Sequence, residues 1–320
     1  MNPAASAPLP PPPAVPAGSV ALVTGGAGFI GGHLCPRLAR AGMAVHSASR
    51  REHAGDTHFR HHAVDLADAA AVQRLLDAVR PDYVFHLASH VQGAPDLKHV
   101  LPAFHGNLQS TVNLLTAVAA RGCRRFVSTG SFMEPTATPG DLTPTSPYAA
   151  AKWASGAYGR MFAALYGLPV TTARVFMVYG PAQQDLTKLV PYVIRCLLRG
   201  EAPAITSGRR LVDWIYVEDV AEGFLRLALA DDAVGRSVDL GSGATIATAD
   251  LVATICRLVG NGLAPAVGAL PDRPMEPTGT ADLETSRRLI GWAPRVGLEE
   301  GLARTIDFYR QLERRPSGAA

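Results

Sequence analysis

Short strand patterns alternate with longer helical patterns through the first 180 residues of the chain. A short apolar run at 19–24 ends in a glycine turn and predicts the first strand; further strands are predicted at 43–49, 59–64, 82–88, 125–129 and 170–175. Helices are predicted between them at 29–41, 68–79 and 107–120, the last from its apolar spacing, and from 147 onward, where Ser146 offers a cap and Pro147 the first helical position. Strands that alternate with helices in this way form a doubly wound parallel sheet. We therefore predict an α/β fold.

The pattern changes after residue 180. A helix is predicted at 190–199, and the segment 213–220 predicts a strand that leads into a helix. From 240 to 309 the chain has short helical patterns and loops, which are typical of a smaller α+β lobe. The expected organisation is a disordered Ala/Pro-rich tail at 1–17, the main domain at 18–180, a substrate-binding lobe at 181–312 and a flexible end at 313–320.

Composition narrows the classes of partner. The 320 residues are 48% hydrophobic and 18% charged, with a formal net charge of +3, which favours neither nucleic acid nor a membrane as a partner. The N-terminal tail lacks the basic start and apolar stretch of a secretory signal. The four cysteines show no C-x-x-C spacing, so we expect them to be reduced and the protein to be cytoplasmic. The ten histidines have no cysteine or carboxylate partners at a ligand spacing, so we expect no metal.

A glycine-rich turn joins the first predicted strand to the first helix. Gly25, Gly28 and Gly31 have the spacing G-x-x-G-x-x-G. Such a turn lets the backbone approach a pyrophosphate, places that anion at the N-terminus of the helix and packs the helix closely on the strand. The position between a strand and a helix favours a dinucleotide site of Rossmann type over a plain turn.

The end of the second predicted strand indicates which dinucleotide binds. An acidic residue there would bind the ribose hydroxyls of NAD, whereas this chain has Ser49, Arg50 and Arg51. A hydroxyl and two guanidinium groups suit a 2′-phosphate, so we predict NADP(H); the alternative is that both arginines are ordinary surface residues. Asp65, after the third strand, is a candidate to accept a hydrogen bond from the adenine amino group, or else a carboxylate at a helix start.

Tyr148 and Lys152 lie one helical turn apart, on one face of the helix predicted from residue 147. A free phenol titrates near pH 10. We expect Lys152 to bring the pKa of Tyr148 toward neutral pH, so that the phenol donates a proton to a carbonyl oxygen. Ser131, Thr129 and Asn107 are candidates to complete this polar set, with Ser131 orienting the substrate oxygen.

These motifs together resemble the extended short-chain dehydrogenase/reductases that act on nucleotide sugars, the NAD-dependent epimerase/dehydratase family. The resemblance runs from about Val20 to Tyr309, and it includes Asp65-Leu66, His86-Leu87-Ala88, Asn107, Val178-Tyr179-Gly180-Pro181, 213–220, 239–243, Arg273-Pro274 and 289–294. It implies that the two parts of the chain interleave, with the segment about 211–232 returning to the NADP-binding domain. It also implies a homodimer formed through two helices, one of them carrying Tyr148.

The resemblance also implies roles for individual residues. Ser131, Tyr148 and Lys152 match the catalytic set of the family. The expected cofactor contacts are Gly25, Gly28, Phe29, Ile30, Gly31, Ser49, Arg50, Arg51, Asp65, Leu66, Leu87, Ala88, Ser89, Asn107, Thr129, Tyr148 and Lys152. The expected substrate contacts are Ser131, Phe132, Met177, Lys188 and Arg273, the last of which matches a basic residue that clamps the diphosphate.

The chain also departs from the family pattern. Dehydratases of the family have acidic residues directly after the catalytic hydroxyl, whereas here two apolar residues follow Ser131 and Glu134 comes only third. Met177 stands where an asparagine is common, and Val212 stands where an arginine is common. Two usual contacts to the diphosphate are therefore missing.

Two segments, 129–134 and 188–191, resemble most the abequose/paratose-synthase branch, which reduces a 4-keto sugar on a nucleotide. We expect an NADPH-dependent reductase of a nucleotide-linked 4-keto-6-deoxysugar, with hydride delivered to C4 and a proton from Tyr148. A sugar-nucleotide C4 epimerase with tightly bound NAD is the alternative, and a ketoreductase of a non-sugar substrate is a further one. The apolar pair after Ser131 disfavours a 4,6-dehydratase, and the intact Tyr148/Lys152 pair disfavours a non-catalytic NADP-binding protein.

Overall fold

The computed structural model describes residues 11, 13–51, 59–135, 142–272 and 277–314. The strands are β1 Val20–Thr24, β2 Ala44–Ser49, β3 Arg60–Ala63, β4 Tyr83–His86, β5 Arg125–Ser131, β6 Val170–Val175, β7 Met177–Tyr179, β8 Ala204–Ile205, β9 Leu211–Tyr216, β10 Ser237–Leu240, β11 Thr245–Ala247 and β12 Ala266–Val267. The α-helices are α1 Phe29–Arg40, α2 Ala69–Val79, α3 Val100–Ala103, α4 Ser110–Ala119, α5 Pro147–Tyr166, α6 Leu189–Leu198, α7 Val217–Leu229, α8 Thr248–Val259, α9 Leu283–Ile290 and α10 Leu298–Arg314.

A seven-stranded sheet forms the centre of the molecule, in the order β10-β6-β5-β4-β1-β2-β3. Neighbouring strands are parallel throughout. Alternate side chains of a strand point to opposite faces, and in β1 both Leu22 and Val23 are fully buried. Val23 belongs to a cluster with residues of α1 and α7, and Leu22 to one with residues of α2, α4 and α5. Helices therefore cover both faces, and the predicted doubly wound parallel sheet is confirmed.

Local signals set the helix boundaries that matter for the site. Asp68 caps α2 by accepting the N–H groups of Ala70 and Ala71 at 2.8 and 3.1 Å. Ser146 caps α5 by accepting the N–H of Ala149 at 3.2 Å, and Pro147 takes the first helical position, where no N–H is needed. The sequence predicted this start of α5, which fixes where Tyr148 and Lys152 emerge.

A smaller lobe contains a three-stranded sheet in the order β11-β9-β7 and the two-stranded pair β12-β8. Its core includes Val193, Trp214, Leu251 and Ile306. After β9 the chain returns to the main sheet, because α7 packs against α1 and β10 pairs with β6. The residues of β10 were expected in the smaller lobe, and this difference arises because a strand of four residues after a turn carries little periodicity.

The end of the N-terminal tail lies against the main domain. Val15 is partly buried and packs on the core, and the carbonyl of Pro16 accepts a hydrogen bond from the Ser19 hydroxyl at 2.6 Å. The expectation of a loose tail up to residue 17 therefore does not hold for its last residues, while 1–10 and 12 lie outside the described residues. Within the described ranges, no helix is both long and apolar enough to cross a membrane.

Candidate active site

The glycine turn between β1 and α1 has the shape that a pyrophosphate requires. Gly25 has a φ of +71°, and a Cβ built on it would lie 2.8 Å from the backbone nitrogen of Ala88. A Cβ on Gly31 would collide with the carbonyl oxygen of Gly25, so α1 packs on the turn only with glycine there. Gly28 caps α1 without a side-chain hydrogen bond, which leaves the first N–H groups of the helix, from Phe29 onward, for an anion. The turn thus fits the diphosphate of a dinucleotide.

The end of β2 presents its two arginines to solvent. Arg50 and Arg51 are exposed, and the Ser49 hydroxyl donates to the carbonyl of Arg51 at 3.0 Å. His61, on β3, donates from Nε2 to the same carbonyl at 2.9 Å. Ser49 and His61 therefore fix the backbone of Arg51 from two sides, a role for His61 that the sequence did not predict.

Asp65 is exposed beyond the end of β3, and Leu66 beside it is buried. One oxygen of Asp65 accepts the N–H of Ala67 at 3.0 Å. The cap of the following helix α2 is Asp68, so Asp65 does not have the alternative role of a carboxylate at the helix start.

The carboxyl end of β4 is tied to a π-helical turn over Phe104–Gln109, between α3 and α4. Asn107 lies in this turn and is 1% exposed. Its Oδ1 accepts the Ser89 hydroxyl at 3.0 Å and the His90 N–H at 2.6 Å. The sequence predicted an α-helix from 107, whereas the π turn aims Asn107 at the loop after β4, in which Leu87 and Ala88 precede Ser89.

A directed chain of hydrogen bonds runs beneath this loop through His86, which ends β4 and is 2% exposed. The Thr111 hydroxyl donates to the carbonyl of Asn107 at 2.6 Å, so it accepts from Nε2 of His86 at 3.0 Å. Nδ1 of His86 is then the acceptor for the Thr24 hydroxyl at 2.7 Å. Burial and the nearby charge of Lys152 lower the pKa of His86 to about 3, so the ring is neutral. Sequence reasoning noted His86 only as part of a motif.

Ser131, Tyr148 and Lys152 come together at the carboxyl end of β5. The Ser131 hydroxyl is hydrogen bonded to Tyr148 and accepts the N–H of Met133 at 3.2 Å. The ammonium of Lys152 donates to the carbonyl of Thr129 at 2.9 Å and lies 6.0 Å from the centre of the Tyr148 ring. The three predicted catalytic side chains therefore lie together, and the carbonyl of Thr129 holds the ammonium of Lys152.

The electrostatics of this trio differ from the expectation in one respect. Burial raises the pKa of Tyr148 to about 12; the hydrogen bond from Ser131 opposes this shift, and the charge of Glu134 adds to it. Burial lowers the pKa of Lys152 to about 8, against the opposing effect of Glu134. We expected Lys152 to bring the pKa of Tyr148 toward neutral pH, but here desolvation of the phenol outweighs that effect. Near neutral pH, Tyr148 is a phenol and Lys152 an ammonium.

A cavity of about 190 Å³ is lined by the three residues that follow Ser131, namely Phe132, Met133 and Glu134. Phe132 forms one wall and stacks on Phe176, with ring centres 5.4 Å apart. The guanidinium of Arg210 lies 5.6 Å from the Phe132 ring and donates to the carbonyl of Pro277 at 3.0 Å. Val212, which stands where the family favours an arginine, is buried. Arg210 is thus a cation close to the cavity that sequence reasoning missed, because it lies two residues before that position.

The other expected substrate contacts are more dispersed. Met177 is partly buried on β7, where it pairs with Trp214 of β9. Lys188, just before α6, donates to the carbonyl of Val91 at 3.4 Å and so reaches the loop after β4. Arg273 lies outside the described residues.

The family model for the NAD dependent epimerase/dehydratase family matches residues 21–241. The chain belongs to this family, as its motifs predicted. The match covers the main sheet from β1 to β10 and includes every element that carries the glycine turn and the Ser131–Tyr148–Lys152 trio.

Relatives that match most of this chain include a dehydratase and an epimerase of nucleotide sugars. A dTDP-glucose 4,6-dehydratase of Xanthomonas campestris pv. campestris is 31% identical and is matched over 90% of this chain and 92% of its own length. A UDP-glucose 4-epimerase of Mycolicibacterium smegmatis is 33% identical, over 90% of this chain and 98% of its own. The solved structure of a Thermus thermophilus UDP-glucose 4-epimerase in complex with NAD is 28% identical, with a TM-score of 0.79 over 91% of this chain and 99% of that one.

Proposed function

We propose that this protein is an NADPH-dependent reductase that converts the C4 ketone of a nucleotide-linked 4-keto-6-deoxysugar to an alcohol. The observation that carries the proposal is the Ser131–Tyr148–Lys152 trio, in which burial keeps the phenol protonated. A phenol with its proton is the form that can donate to an alkoxide as it develops. The dehydratase and epimerase relatives act on nucleotide sugars, which supports that class of substrate.

The side chains divide the work of reduction between them. The nicotinamide, when bound, supplies the hydride. The Ser131 hydroxyl orients the ketone oxygen, and Tyr148 donates the proton to that oxygen as negative charge develops on it. Lys152 stabilises the phenolate that remains, because its ammonium lies beside the ring. Water then returns the proton to Tyr148.

The end of β2 supports NADP(H) as the cofactor. Arg50 and Arg51 are both exposed there, and Ser49 and His61 hold the carbonyl of Arg51 from two sides. A 2′-phosphate is the anion that such a pair of exposed guanidinium groups binds well. NADPH also suits a net reduction, since the oxidised cofactor must leave after each turnover.

A C4 epimerase with tightly bound NAD is the second candidate. The Mycolicibacterium relative and the Thermus structure, both UDP-glucose 4-epimerases, favour it. The two candidates predict different states of the purified protein, because an epimerase retains its cofactor and a reductase exchanges it. Release of NAD on denaturation of the purified protein would therefore favour the epimerase.

A homodimer is part of the proposal. Apolar side chains are exposed on two adjoining helical surfaces. One carries Leu97, Leu101 and Phe104, before and within the π turn, and the other carries Trp153, Leu165 and Tyr166 of α5. An exposed apolar surface of this extent is typical of a protein–protein interface. It includes α5, which also carries Tyr148, so that the dimer would hold the catalytic helix in place.

The test of the function is NADPH consumption on CDP-, dTDP-, GDP- and UDP-linked 4-keto-6-deoxysugars, with the product identified by NMR. Tyr148→Phe removes one oxygen and little volume, so the fold and NADPH affinity should be kept. Loss of general acid catalysis should lower turnover by about 10²–10⁴-fold. A folded Tyr148→Phe variant that reduces the sugar at the wild-type rate would end the proposal.

A further inference from the structure

Glu134 lies in the turn that follows β5, and its carboxylate folds back under Ser131. Oε1 accepts the N–H of Ser131 at 2.6 Å, and the N–H of Glu134 donates to the carbonyl of Ser131 at 3.1 Å. The side chain and the backbone of Glu134 thus bind both polar groups of the Ser131 backbone. This reciprocal pair fixes the residue whose hydroxyl contacts Tyr148.

Gly130 makes room for the carboxylate next to the sheet, and Gly156 of α5 lies on its other side. A Cβ built on Gly130 would lie 2.9 Å from Oε1 of Glu134, closer than real Cβ contacts allow. A Cβ built on Gly156 would lie 3.6 Å from Oε2. Because Tyr148, Lys152 and Gly156 are spaced four residues apart, they share one face of α5, and Glu134 packs against that face.

The groups around Glu134 are mostly cationic. Lys152 and Arg160 of α5 and Arg174 of β6 act on it through their charges, and these charges, with the hydrogen bond from Ser131, favour the carboxylate form. Burial acts in the opposite sense and raises the pKa of Glu134. The charge of Glu134 in turn raises the pKa of Tyr148 and that of Lys152. One carboxylate therefore increases the proton affinity of both members of the pair.

We propose that Glu134 is a positioning residue that fixes Ser131 and whose negative charge favours the protonated forms of both Tyr148 and Lys152. Its effect on the pair does not depend on the substrate, but its benefit rests on the proposed function. A reductase begins its reaction with a ketone and needs the proton on Tyr148. An enzyme that begins by oxidising an alcohol needs Tyr148 to accept a proton, and a neighbouring carboxylate hinders that reaction.

Glu134→Gln separates charge from position, because the amide oxygen still accepts the N–H of Ser131 while the negative charge is lost. The first measurement needs no substrate. Tyrosinate absorbance is recorded against pH, and the curve of each protein is compared with that of the same protein carrying Tyr148→Phe, which isolates Tyr148. Loss of the charge should move the ionisation of Tyr148 to lower pH. Glu134→Asp, which keeps the charge, should remain closer to the wild type.

The second measurement is turnover of the 4-keto sugar against pH. Reduction should fall as pH rises through the pKa of Lys152, about 8 in the wild type, and Glu134→Gln should move this alkaline limb to lower pH. Glu201→Gln is the matched control, since Glu201 is exposed on the loop after α6, and it should leave the limb in place. A change in kcat without a shift of the limb would reveal a merely structural role.

The two proposals can fail separately. If no 4-keto sugar is reduced but Glu134→Gln still moves the ionisation of Tyr148, the reductase function fails and the role of Glu134 stands. If reduction is observed and Glu134→Gln leaves both the tyrosinate curve and the alkaline limb unchanged, the role of Glu134 is refuted. If Glu134→Gln does not fold, Glu134→Asp provides the test. This variant keeps the negative charge, so an alkaline limb that shifts as far as loss of that charge would shift it would overturn the role of Glu134.

Discussion

Acidification should destabilise this protein through His86 by an amount that follows from its hydrogen bonds. The ring is 2% exposed, and Nδ1 must remain unprotonated to accept the Thr24 hydroxyl. Its pKa is about 3 in the folded protein, compared with 6.5 for a free histidine. Below pH 6.5 the unfolded chain therefore binds a proton that the native protein excludes, and stability is lost as pH falls from 6.5 toward 3.

The size of the effect follows from that window. Each pH unit within it corresponds to about 1.4 kcal/mol, so at pH 5, about one and a half units below the pKa of a free histidine, the loss is about 2 kcal/mol. The assay is urea unfolding at pH 7.5 and pH 5.0 of the wild type and of His86→Asn, whose amide does not titrate. The variant should be less stable at pH 7.5, because Thr111 loses its donor.

The difference in the pH dependence of stability between the wild type and His86→Asn tests the role of His86. Other histidines and carboxylates contribute equally to the wild type and the variant, so the difference between their pH dependences isolates His86. The wild type should lose about 2 kcal/mol more than His86→Asn between the two pH values. Equal losses would mean that His86 accepts a proton in the native state, and the directed chain from Thr24 to Asn107 would be wrong.

Three further predictions concern the cofactor, the dimer and the tail. Arg50→Ala and Arg51→Ala should each weaken NADPH binding roughly tenfold or more while NADH binding changes little, as measured by fluorescence titration; an unchanged NADPH/NADH preference would refute the NADP assignment. Leu101→Glu places a charge in the exposed apolar surface and should yield a monomer by light scattering, whereas a wild type that is already monomeric would contradict the dimer. Deletion of residues 2–12 should leave the melting temperature unchanged, and extension of the deletion through Val15 should lower it, because that side chain packs on the core.

The main sheet could be predicted from the sequence because its strands alternate with helical patterns and several of them lie next to a clear turn. Val20–Thr24 ends at the glycine turn, and Val170–Val175 follows the glycine that ends α5. The same is true of α5, whose start at Pro147 is fixed by local residues alone. β10 escaped this reasoning because its partner, β6, lies far back in the chain and only the sheet itself shows the pairing.

The trio of the site was visible in the sequence, but its electrostatics were not. Spacing places Lys152 one turn after Tyr148, and it says nothing of how far both are withdrawn from water. Burial raises the pKa of Tyr148 to about 12. Glu134 was noted only for not being adjacent to Ser131, since the place of its carboxylate depends on room left by Gly130, which no local pattern reveals.

The π turn at Phe104–Gln109 sets a limit on how the length of this chain can vary during evolution. A π turn holds one residue more than the α-helical turn it replaces, and one residue corresponds to about 100° of rotation in a regular helix. Deletion of a single residue here would restore an α-helix and swing Asn107 away from Ser89 and His90, whose bonds hold the loop after β4. Surface loops of related chains are free to gain and lose residues. This helix does not have that freedom. Homologues that keep the asparagine should therefore also keep the extra residue of the π turn.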